Sequence, residues 1–333
     1  DSLGNRVFHV YLPYDQQGPV RRFLKAINPQ LAIFMETELW PTLLATCART
    51  NIPVLLANAR LSERSLRGYQ KIAPLLRSTL ACIDKIAAQT QADANRFAVL
   101  MEDTSRLHVV GNIKFDIMVP EHAPGKGRAL RQRLGTQRPV WIAASTHEGE
   151  DARILDALSE IKRIFPRMCL IIVPRHPERF HQVAKQCEET GYRVARYTDP
   201  HACLSTSDIL LGDTLGEMFT LLAAADLAFV GGSLLPAYGG HNLLEPASLR
   251  LPIITGPYTH HFKAIHTLFK EANAVITLPK DGLSTLAKEV MILFQDKTLR
   301  DALAQHAYEV VTQNQGALAK HLTLIKPFLK GIL

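Results

Sequence analysis

The segment Gly239-Gly240-His241-Asn242-Leu243-Leu244-Glu245-Pro246 follows the apolar run Leu227-Ala228-Phe229-Val230 and three small residues, Gly231-Gly232-Ser233. This order predicts a buried strand, an open loop and the start of a helix. Because proline is tolerated in the first turn, Pro246 places the helix start near Asn242. The glycines let a ligand approach the backbone, and the carboxylate one turn into the helix could accept from a ribose hydroxyl. The spacing Asn-x-x-Glu is also that of a capping box, so a structural role stays open.

The composition sets the broad class of the protein. With 333 residues, 47% hydrophobic and 21% charged, the chain can bury two substantial cores. No apolar run approaches the length of about 18 residues that crosses a bilayer, so we expect any membrane contact to be peripheral. The net charge of +7 suggests an anionic partner, namely nucleic acid, phospholipid or a phosphorylated substrate. Basic and aromatic residues do not interleave as in RNA-binding modules, so nucleic acid is not expected. Five cysteines without a CxxC pair indicate neither a disulfide framework nor a zinc site.

Short apolar runs alternate with segments of helical period along the whole chain. This pattern predicts a βα series and therefore mostly parallel sheets. Residues 119–127 have the proline and glycine content of a linker. We therefore expect an α/β fold with two Rossmann-like domains and a cleft between them, the first over 1–118 and the second over 128–333 with C-terminal helices. The first domain should be incomplete, because the chain enters a predicted strand at 7–11 almost at once.

Charged residues stand at several predicted strand ends. Glu36 follows a buried strand, where an acid is costly unless it is used or paired. Lys114 follows another and could meet a phosphate, although a solvated lysine is the simpler reading of this residue taken alone. Arg175 comes directly after an apolar strand and suits a nucleotide phosphate. Together with Gly216 and Asn242 it marks three predicted helix starts, which we expect to converge on one site.

Other patterns argue against alternative chemistries. The run His147-Glu148-Gly149-Glu150-Asp151 resembles a metal cluster, but acidic residues at a helix start after Ser145-Thr146 are explained by capping. The chain has no Asp-x-Asp pattern, no Gly-x-Gly-x-x-Gly and no P-loop. We therefore expect no metal and no cofactor, and neither hydride transfer nor ATP hydrolysis.

Seven ordered motifs closely resemble the bacterial 3-deoxy-D-manno-octulosonic acid (Kdo) transferase family, and they cover nearly the whole chain. The motifs are Met35-Glu36-Thr37-Glu38-Leu39-Trp40-Pro41, Asn58-Ala59-Arg60-Leu61-Ser62, Gly111-Asn112-Ile113-Lys114-Phe115-Asp116, Ala144-Ser145-Thr146-His147-Glu148-Gly149-Glu150, Pro174-Arg175-His176-Pro177-Glu178-Arg179, Gly212-Asp213-Thr214-Leu215-Gly216-Glu217-Met218 and the opening segment. The resemblance implies a GT-B glycosyltransferase. Such an enzyme moves Kdo from CMP-Kdo to the lipid A precursor, lipid IVA, in lipopolysaccharide biosynthesis at the cytoplasmic face of the inner membrane.

The resemblance also implies roles for individual residues. It makes Glu36 and Lys114 catalytic, because both would stabilise the charge that develops as the bond to the CMP phosphate breaks. It makes a further set the contacts of CMP: Pro174, Arg175, Leu215, Gly216, Glu217, Asn242, Leu243, Leu244 and Glu245. CMP-Kdo enters as a substrate rather than as a cofactor, and its single phosphate fits the absence of a metal motif.

This chain departs from the family pattern at its start. The family opens with a hydrophobic anchor and a strand that carries the general base, so the resemblance implies an N-terminally truncated chain that meets the membrane only peripherally. The alternative is a catalytically inactive CMP-binding fragment or pseudoenzyme that lacks the base. Arg60, Arg64, Arg67 and Lys71 recur at helical spacing and could face an anionic membrane surface or simply water.

Overall fold

The computed structural model describes residues 4–280 and 283–329, so the outermost ends of both predicted domains lie outside the described residues. The chain divides into two compact units, one formed by 1–116 and 314–333 and the other by 117–313. Each contains one parallel sheet with helices around it, which confirms the α/β class.

Unit 1, the first of these, is built on a four-stranded sheet with the order β1-β2-β3-β4. Its strands are β1 (Ala32–Met35), β2 (Val54–Ala59), β3 (Lys85–Ala88) and β4 (Leu107–Val109). Its helices are α1 (Gln17–Ile27), α2 (Pro41–Arg49), α3 (Glu63–Gln70), α4 (Ala73–Ala81), α5 (Gln91–Ala98) and α14 (Ala317–Ile325). The core lies between helices and sheet, and β2 is buried along its whole length. A strand buried on both faces reads as a continuous apolar run, as Val54 to Ala57 does.

Unit 2 is built on a seven-stranded sheet with the order β11-β10-β9-β5-β6-β8-β7. Its strands are β5 (Val140–Thr146), β6 (Cys169–Pro174), β7 (Val194–Arg196), β8 (Ile209–Leu211), β9 (Leu227–Val230), β10 (Ile253–Thr255) and β11 (Ile276–Thr277). Its helices are α6 (Ala123–Leu134), α7 (Glu150–Ile164), α8 (Phe180–Glu189), α9 (Met218–Ala223), α10 (Leu244–Ser248), α11 (Lys263–Glu271), α12 (Leu283–Gln295) and α13 (Lys297–Gln313). Separate apolar clusters pack on the two faces of this sheet.

The structure differs from the predicted domain limits in two places. Helix α6 begins at Ala123, inside the segment expected to be a linker. Gly127 is buried there, and a Cβ on it would clash with the Cβ of Ala223 in α9. The glycine that suggested a flexible segment therefore allows two helices to pack closely.

The last helix belongs to unit 1 rather than to the predicted second domain. The carboxylate of Asp116 accepts the backbone N–H groups of Gly316 and Leu318 at the start of α14. Further along this helix, the buried ring of His321 accepts the N–H of Asn58 at 2.9 Å through Nε2. These links join residues 200 or more positions apart in sequence, so hydrophobic periodicity could not show them.

One predicted strand is also absent from the structure. Residues 7–11 form neither helix nor strand, and apolar side chains such as Phe8 and Tyr11 are exposed. Strand propensity and alternation are weak guides by themselves, because β structure depends on pairing and packing with neighbouring strands. The segment in which Arg64, Arg67 and Lys71 recur at helical spacing leads into two helices rather than one, α3 and α4, with Pro74 in the first turn of α4.

Candidate functional site

A cavity of about 320 Å³ lies at the carboxyl ends of β5 and β9 in unit 2. Strand β5 pairs with β6 on one side and with β9 on the other, so the order of strands reverses there. In parallel α/β sheets such a reversal opens a crevice in which ligands bind. The residues that line the cavity are Ala144, Ser145, Arg175, Met218, Leu222, Val230, His241, Asn242, Glu245, Pro246 and Phe262.

The backbone at the base of the cavity is held in an uncommon conformation. Ser145 has φ of +58°, and the register between β5 and β6 shifts between Ala144 and Thr146. The facing residue is Gly231, where a Cβ would lie 2.7 Å from the carbonyl oxygen of Ser145. A left-handed serine opposite an obligatory glycine persists only where the surrounding fold fixes it, and such strain is concentrated at functional sites.

Three of the predicted CMP contacts line this cavity, namely Arg175, Asn242 and Glu245. The side chain of Arg175 is exposed, while its own N–H donates to the carbonyl of Thr146 at 2.9 Å. Burial raises the pKa of Glu245 above its usual range, and the neighbouring Asn242 and Arg175 oppose that shift. The cavity thus combines a cation, an amide and a partly buried carboxyl group.

The other predicted CMP contacts lie outside the residues that form the cavity wall. Leu243 and Leu244 are buried, and Pro174 is the last residue of β6. Helix α10 begins at Leu244 rather than near Asn242, because the Asn242 side chain accepts the N–H of Leu244 at 3.0 Å and closes a turn first. The two leucines therefore pack in the core and support the loop.

The predicted contacts Leu215, Gly216 and Glu217 precede α9, whose residues Met218 and Leu222 take their place in the cavity wall. Gly216 has φ of +83°, which ends the turn after β8. The Glu217 carboxylate accepts from the ammonium group of Lys126 at 2.8 Å, and this bond lowers the pKa of Glu217. A contact between this turn and a nucleotide would therefore use the backbone or the exposed Leu215.

Glu150, which the sequence analysis assigned to capping, has a larger structural role. Its buried carboxylate accepts four backbone N–H groups, those of His147, Gly232, Ser233 and Leu234, at 2.7–2.9 Å. Burial raises the pKa of Glu150, while these hydrogen bonds favour its charged form. The acid thereby ties the loop after β9 to the start of α7. In the sequence, the run Gly231-Gly232-Ser233 indicates an open loop whose N–H groups need acceptors. No local pattern links this loop to an acid 82 positions earlier.

A second buried group fixes the loop that carries Arg175. Arg179 forms an ion pair with Asp151 and donates to the carbonyl of Thr146 at 2.9 Å. The Thr146 hydroxyl in turn donates to Asp151 at 2.7 Å. Both acids at the start of α7 are therefore committed to protein partners. Within the part of the chain that the structure describes, no three His, Cys, Asp or Glu side chains form a group that could hold a metal ion.

Histidines form a cluster beside the cavity that sequence reasoning did not anticipate. The Nε2 atoms of His147 and His241 are 2.7 Å apart, and Tyr238 stacks on His147 with ring centroids 4.0 Å apart. His176 meets His147 edge-on at 5.2 Å. Gly232 makes room for this arrangement, since a Cβ there would lie 2.7 Å from the ring of His241. The two paired histidines are 94 positions apart, so only the fold joins them.

In unit 1 the structure brings the two predicted catalytic residues together. Lys114 donates to Glu36 at 3.0 Å, and Arg60 binds the other carboxylate oxygen at 2.8 Å. Glu36 has φ of +57° directly after β1, an unusual conformation for a residue with a long side chain. Arg60 was assigned to a helical face, but it precedes α3 and belongs to this cluster instead.

Comparisons with known proteins point in one direction. The family model described as 3-deoxy-D-manno-octulosonic-acid transferase (kdotransferase) matches residues 1–117. A 3-deoxy-D-manno-octulosonic acid transferase from Haemophilus influenzae is 39% identical over 329 residues, which cover 99% of this chain and 77% of the relative. The enzyme of that name from Bordetella pertussis is 36% identical over 328 residues, covering 96% and 74%. These matches lend no support to the expectation of a truncated chain.

Solved structures agree with the sequence matches. The C-terminal CMP-Kdo binding domain of WaaA from Acinetobacter baumannii is 29% identical with a TM-score of 0.55, and the match covers 58% of this chain and 99% of that domain. Anabaena Alr3699/HepE in complex with UDP has a TM-score of 0.55 over 98% of this chain and 83% of its own, at 12% identity. At that identity the likeness shows the fold alone. The predicted GT-B fold is thereby confirmed.

Proposed function

The chain belongs to the 3-deoxy-D-manno-octulosonic acid (Kdo) transferase family of glycosyltransferases, and from this premise we propose that it transfers Kdo from CMP-Kdo to the lipid A precursor, lipid IVA, in lipopolysaccharide biosynthesis. The observation that carries the proposal is the cavity at the strand reversal of unit 2. It offers a cation for one phosphate and a carboxyl group for a ribose. The resemblance to a domain named for CMP-Kdo binding supports the same reading.

Within this proposal Arg175 binds the CMP phosphate and Glu245 accepts a hydrogen bond from the ribose. The exposed guanidinium needs little rearrangement to form a charge-assisted pair with an anion. Burial raises the pKa of Glu245, and a hydrogen bond donated by a ribose hydroxyl would favour its charged form. Apolar side chains from Met218, Leu222 and Phe262 would enclose the remaining nucleotide surface.

Glu36 and Lys114 are the proposed catalytic residues. The glycosidic bond to CMP breaks with positive charge developing on the sugar and negative charge growing on the phosphate. A carboxylate and an ammonium group suit these two charges respectively. The positive φ of Glu36 and its two cationic neighbours indicate that the carboxylate is held in a defined place.

Binding of CMP to the full chain tests the donor site. A hydrogen bond to a charged group contributes about 1.5 to 3 kcal/mol, so we expect Arg175→Ala to weaken CMP binding roughly ten- to a hundredfold by calorimetry. Arg163→Ala is the matched control, because Arg163 is exposed on α7 and does not line the cavity. Equal affinities for the two variants, or no CMP binding by the parent chain, would refute the assignment.

Transfer itself is measured as the mass gain of lipid IVA incubated with CMP-Kdo and the full chain. We propose that no cofactor takes part, so transfer should persist in the presence of EDTA. CMP binding without any mass gain would instead favour the inactive CMP-binding alternative. Loss of transfer on chelation would contradict the proposal of metal-independent chemistry.

We further propose that the chain works at the cytoplasmic face of the inner membrane and contacts the lipid through the exposed surface of α3 and α4. Arg64, Arg67 and Lys71 are exposed there next to the exposed apolar side chains of Ile72 and Leu75. Among residues 4–280 and 283–329, no helix is both long and apolar enough to span a bilayer. A basic surface gains about 1 kcal/mol per charge near anionic lipid.

Vesicle sedimentation tests this surface. Changing Arg64, Arg67 and Lys71 together to Glu should abolish binding to vesicles that contain anionic lipid at physiological salt. The control changes Arg163, Lys185 and Arg167, exposed residues of unit 2, to Glu and reduces the net charge equally. If both triple variants bind equally well, the surface is only a solvated one.

A further inference from the structure

The pair formed by His147 and His241 has no role in the proposed binding of CMP or in the proposed transfer. His147 follows the end of β5, and His241 lies in the loop before α10 and forms part of the cavity wall. Their Nε2 atoms are 2.7 Å apart, and the two rings are nearly coplanar, with 9° between their planes. At this distance one ring donates a proton and the other accepts it.

Charged groups of both signs surround the pair. The charged and titratable groups near it come from several segments of unit 2 and are Arg175, His176, Arg179, His261, Glu150, Asp151 and Glu245. Burial first, and then the neighbouring histidines and arginines, lower the pKa of both imidazoles to about 4. Asp151, which opposes this effect at His147, is already paired with Arg179. The pair is therefore neutral at physiological pH when the cavity is empty.

The geometry of the pair limits how it can be charged. The ring that donates through Nε2 carries no proton on its Nδ1 while it is neutral. A proton added there leaves the N–H···N bond between the Nε2 atoms intact and makes it charge-assisted, hence stronger. A second proton would place an N–H on both facing atoms and break the bond. The pair can therefore take up one proton, and share one positive charge, without any movement of its rings.

We propose that the His147–His241 pair takes up one proton from solvent when an anionic phosphate binds in the cavity beside Arg175. The anion offsets the field of the neighbouring arginines, which contributes to keeping the pair neutral. The inference rests on the proposed function in taking a CMP phosphate as the ligand. It adds a second cation to the donor site, one that exists only while the ligand is bound.

Binding should accordingly depend on pH. Where the free pair is neutral and the occupied pair is charged, affinity rises about tenfold for each unit by which the pH falls. The window ends near pH 4, where the free pair would itself be protonated. Above the pKa of the occupied pair the affinity becomes independent of this group.

The methyl ester of CMP is the appropriate probe. CMP itself changes charge near pH 6, whereas a phosphodiester carries one negative charge throughout the window. Calorimetry at pH 5.5 in two buffers of different ionisation enthalpy gives the number of protons taken up on binding. We expect the parent chain to take up close to one proton, and His147→Gln and His241→Gln to take up almost none. His201→Gln, an exposed histidine of the same unit, should behave as the parent does.

The outcomes separate this inference from the proposed function. Binding of the ester without proton uptake, or uptake that survives in the double glutamine variant, overturns the inference and leaves the donor site standing. No binding of the ester or of CMP overturns both. Nitrogen-15 NMR of labelled histidines in the parent chain needs no substitution. There, addition of the ester should convert one Nδ1 signal of the pair from the unprotonated to the protonated range, and unchanged signals would refute the inference.

Discussion

The two units use the same building plan but differ in the order of their strands. In unit 1 the described strands run β1-β2-β3-β4 in one direction, whereas in unit 2 the order reverses at β5. The reversal separates the loops after β5 and β9 and leaves a cavity between them. Charged groups of unit 2 then become buried beneath these loops, while the charged cluster of unit 1 remains partly exposed.

The exposed fractions show how different the two clusters are. Glu150 and Asp151 are 0% and 1% exposed, whereas the side chains of Glu36, Lys114 and Arg60 are 28%, 47% and 55% exposed. Buried carboxylates need every hydrogen bond that the fold supplies, so they fix the loops around them. Exposed ion pairs contribute little to stability and can exchange partners with a ligand. The same residue types therefore build a scaffold in unit 2 and form the proposed catalytic cluster in unit 1.

Removing Glu150 should give the largest effect on stability. Glu150→Ala leaves four buried N–H groups without an acceptor, at about 1–3 kcal/mol each, but it also removes the cost of burying the carboxylate. We therefore expect a net fall in the free energy of unfolding of about 3–5 kcal/mol in urea titrations. Glu150→Gln should lose less, because one amide oxygen can still accept. Glu148→Ala, on the exposed neighbour, should stay within roughly 0.5 kcal/mol of the parent, the usual effect of a surface substitution.

Similar stabilities for the Glu150 and Glu148 alanine variants would contradict the conclusion that the buried acids of unit 2 stabilise the loops around them. They would mean that water enters and satisfies the loop amides as well as the carboxylate does. The buried acid would then be incidental to the fold of the loop.

Glu36→Gln should show the opposite behaviour, a small effect on stability and a large one on transfer. Loss of two partly exposed ion pairs is expected to change the free energy of unfolding by less than about 1 kcal/mol. Loss of the charge that we propose stabilises the transition state should lower the rate of transfer by about 10² to 10³. Glu38→Gln is the control, since Glu38 lies two residues away and accepts from the indole of Trp40.

A Glu36 variant that unfolds easily and loses transfer in proportion would show that this acid is structural as well. In that case the division of roles between the two units would not hold. Equal transfer by the Glu36 and Glu38 variants would remove Glu36 from the proposed catalytic pair.

Sequence reasoning succeeded where local pattern and topology agree. Apolar strands such as β6 and β9 were evident as short runs before turns, and parallel pairing followed from the βα order. Because the ends of parallel strands meet at one edge of a sheet, the sequence alone could bring Arg175 and Asn242 to one cavity. Gly216, expected to converge with them, does not line that cavity. The predicted strand at 7–11 was wrong, since β character there depends on a partner strand.

What escaped prediction depends on groups that are distant in sequence. The four amides around Glu150, the His147–His241 pair and the Arg60–Glu36 bond each join different loops. A capping pattern at 145–151 was the simplest local explanation, yet the N-cap of α7 is Gly149 and the side chain of Thr146 binds Asp151. Local propensity identifies a helix start correctly. It does not predict which residues, distant in sequence, an acid at that position contacts.

The smallest expected effect is on the pH dependence of the free energy of unfolding. It tests selectively whether groups buried in unit 2 resist protonation. In the folded chain the pKa of His147 and of His241 is about 4, below the usual value of 6.5 that applies to the unfolded chain. Between these values the unfolded chain binds more protons than the folded one. Stability that is fully present above pH 6.5 is therefore lost progressively as the pH falls toward 4.

Urea titrations at several pH values between about 7 and 4.5 measure this loss, and the double variant His147→Gln with His241→Gln should show a shallower decline than the parent. The buried carboxyls of Glu150 and Glu245, whose pKa values are raised, act in the opposite direction, but they are common to both proteins and cancel in the difference. Asp208, with a pKa of about 2, titrates below the window. His201→Gln should keep the parent's slope, since its side chain is exposed. Identical slopes for all three proteins would show that the pair is protonated as easily as a histidine in water. The burial that distinguishes the cluster of unit 2 from that of unit 1 would then have no effect on protonation.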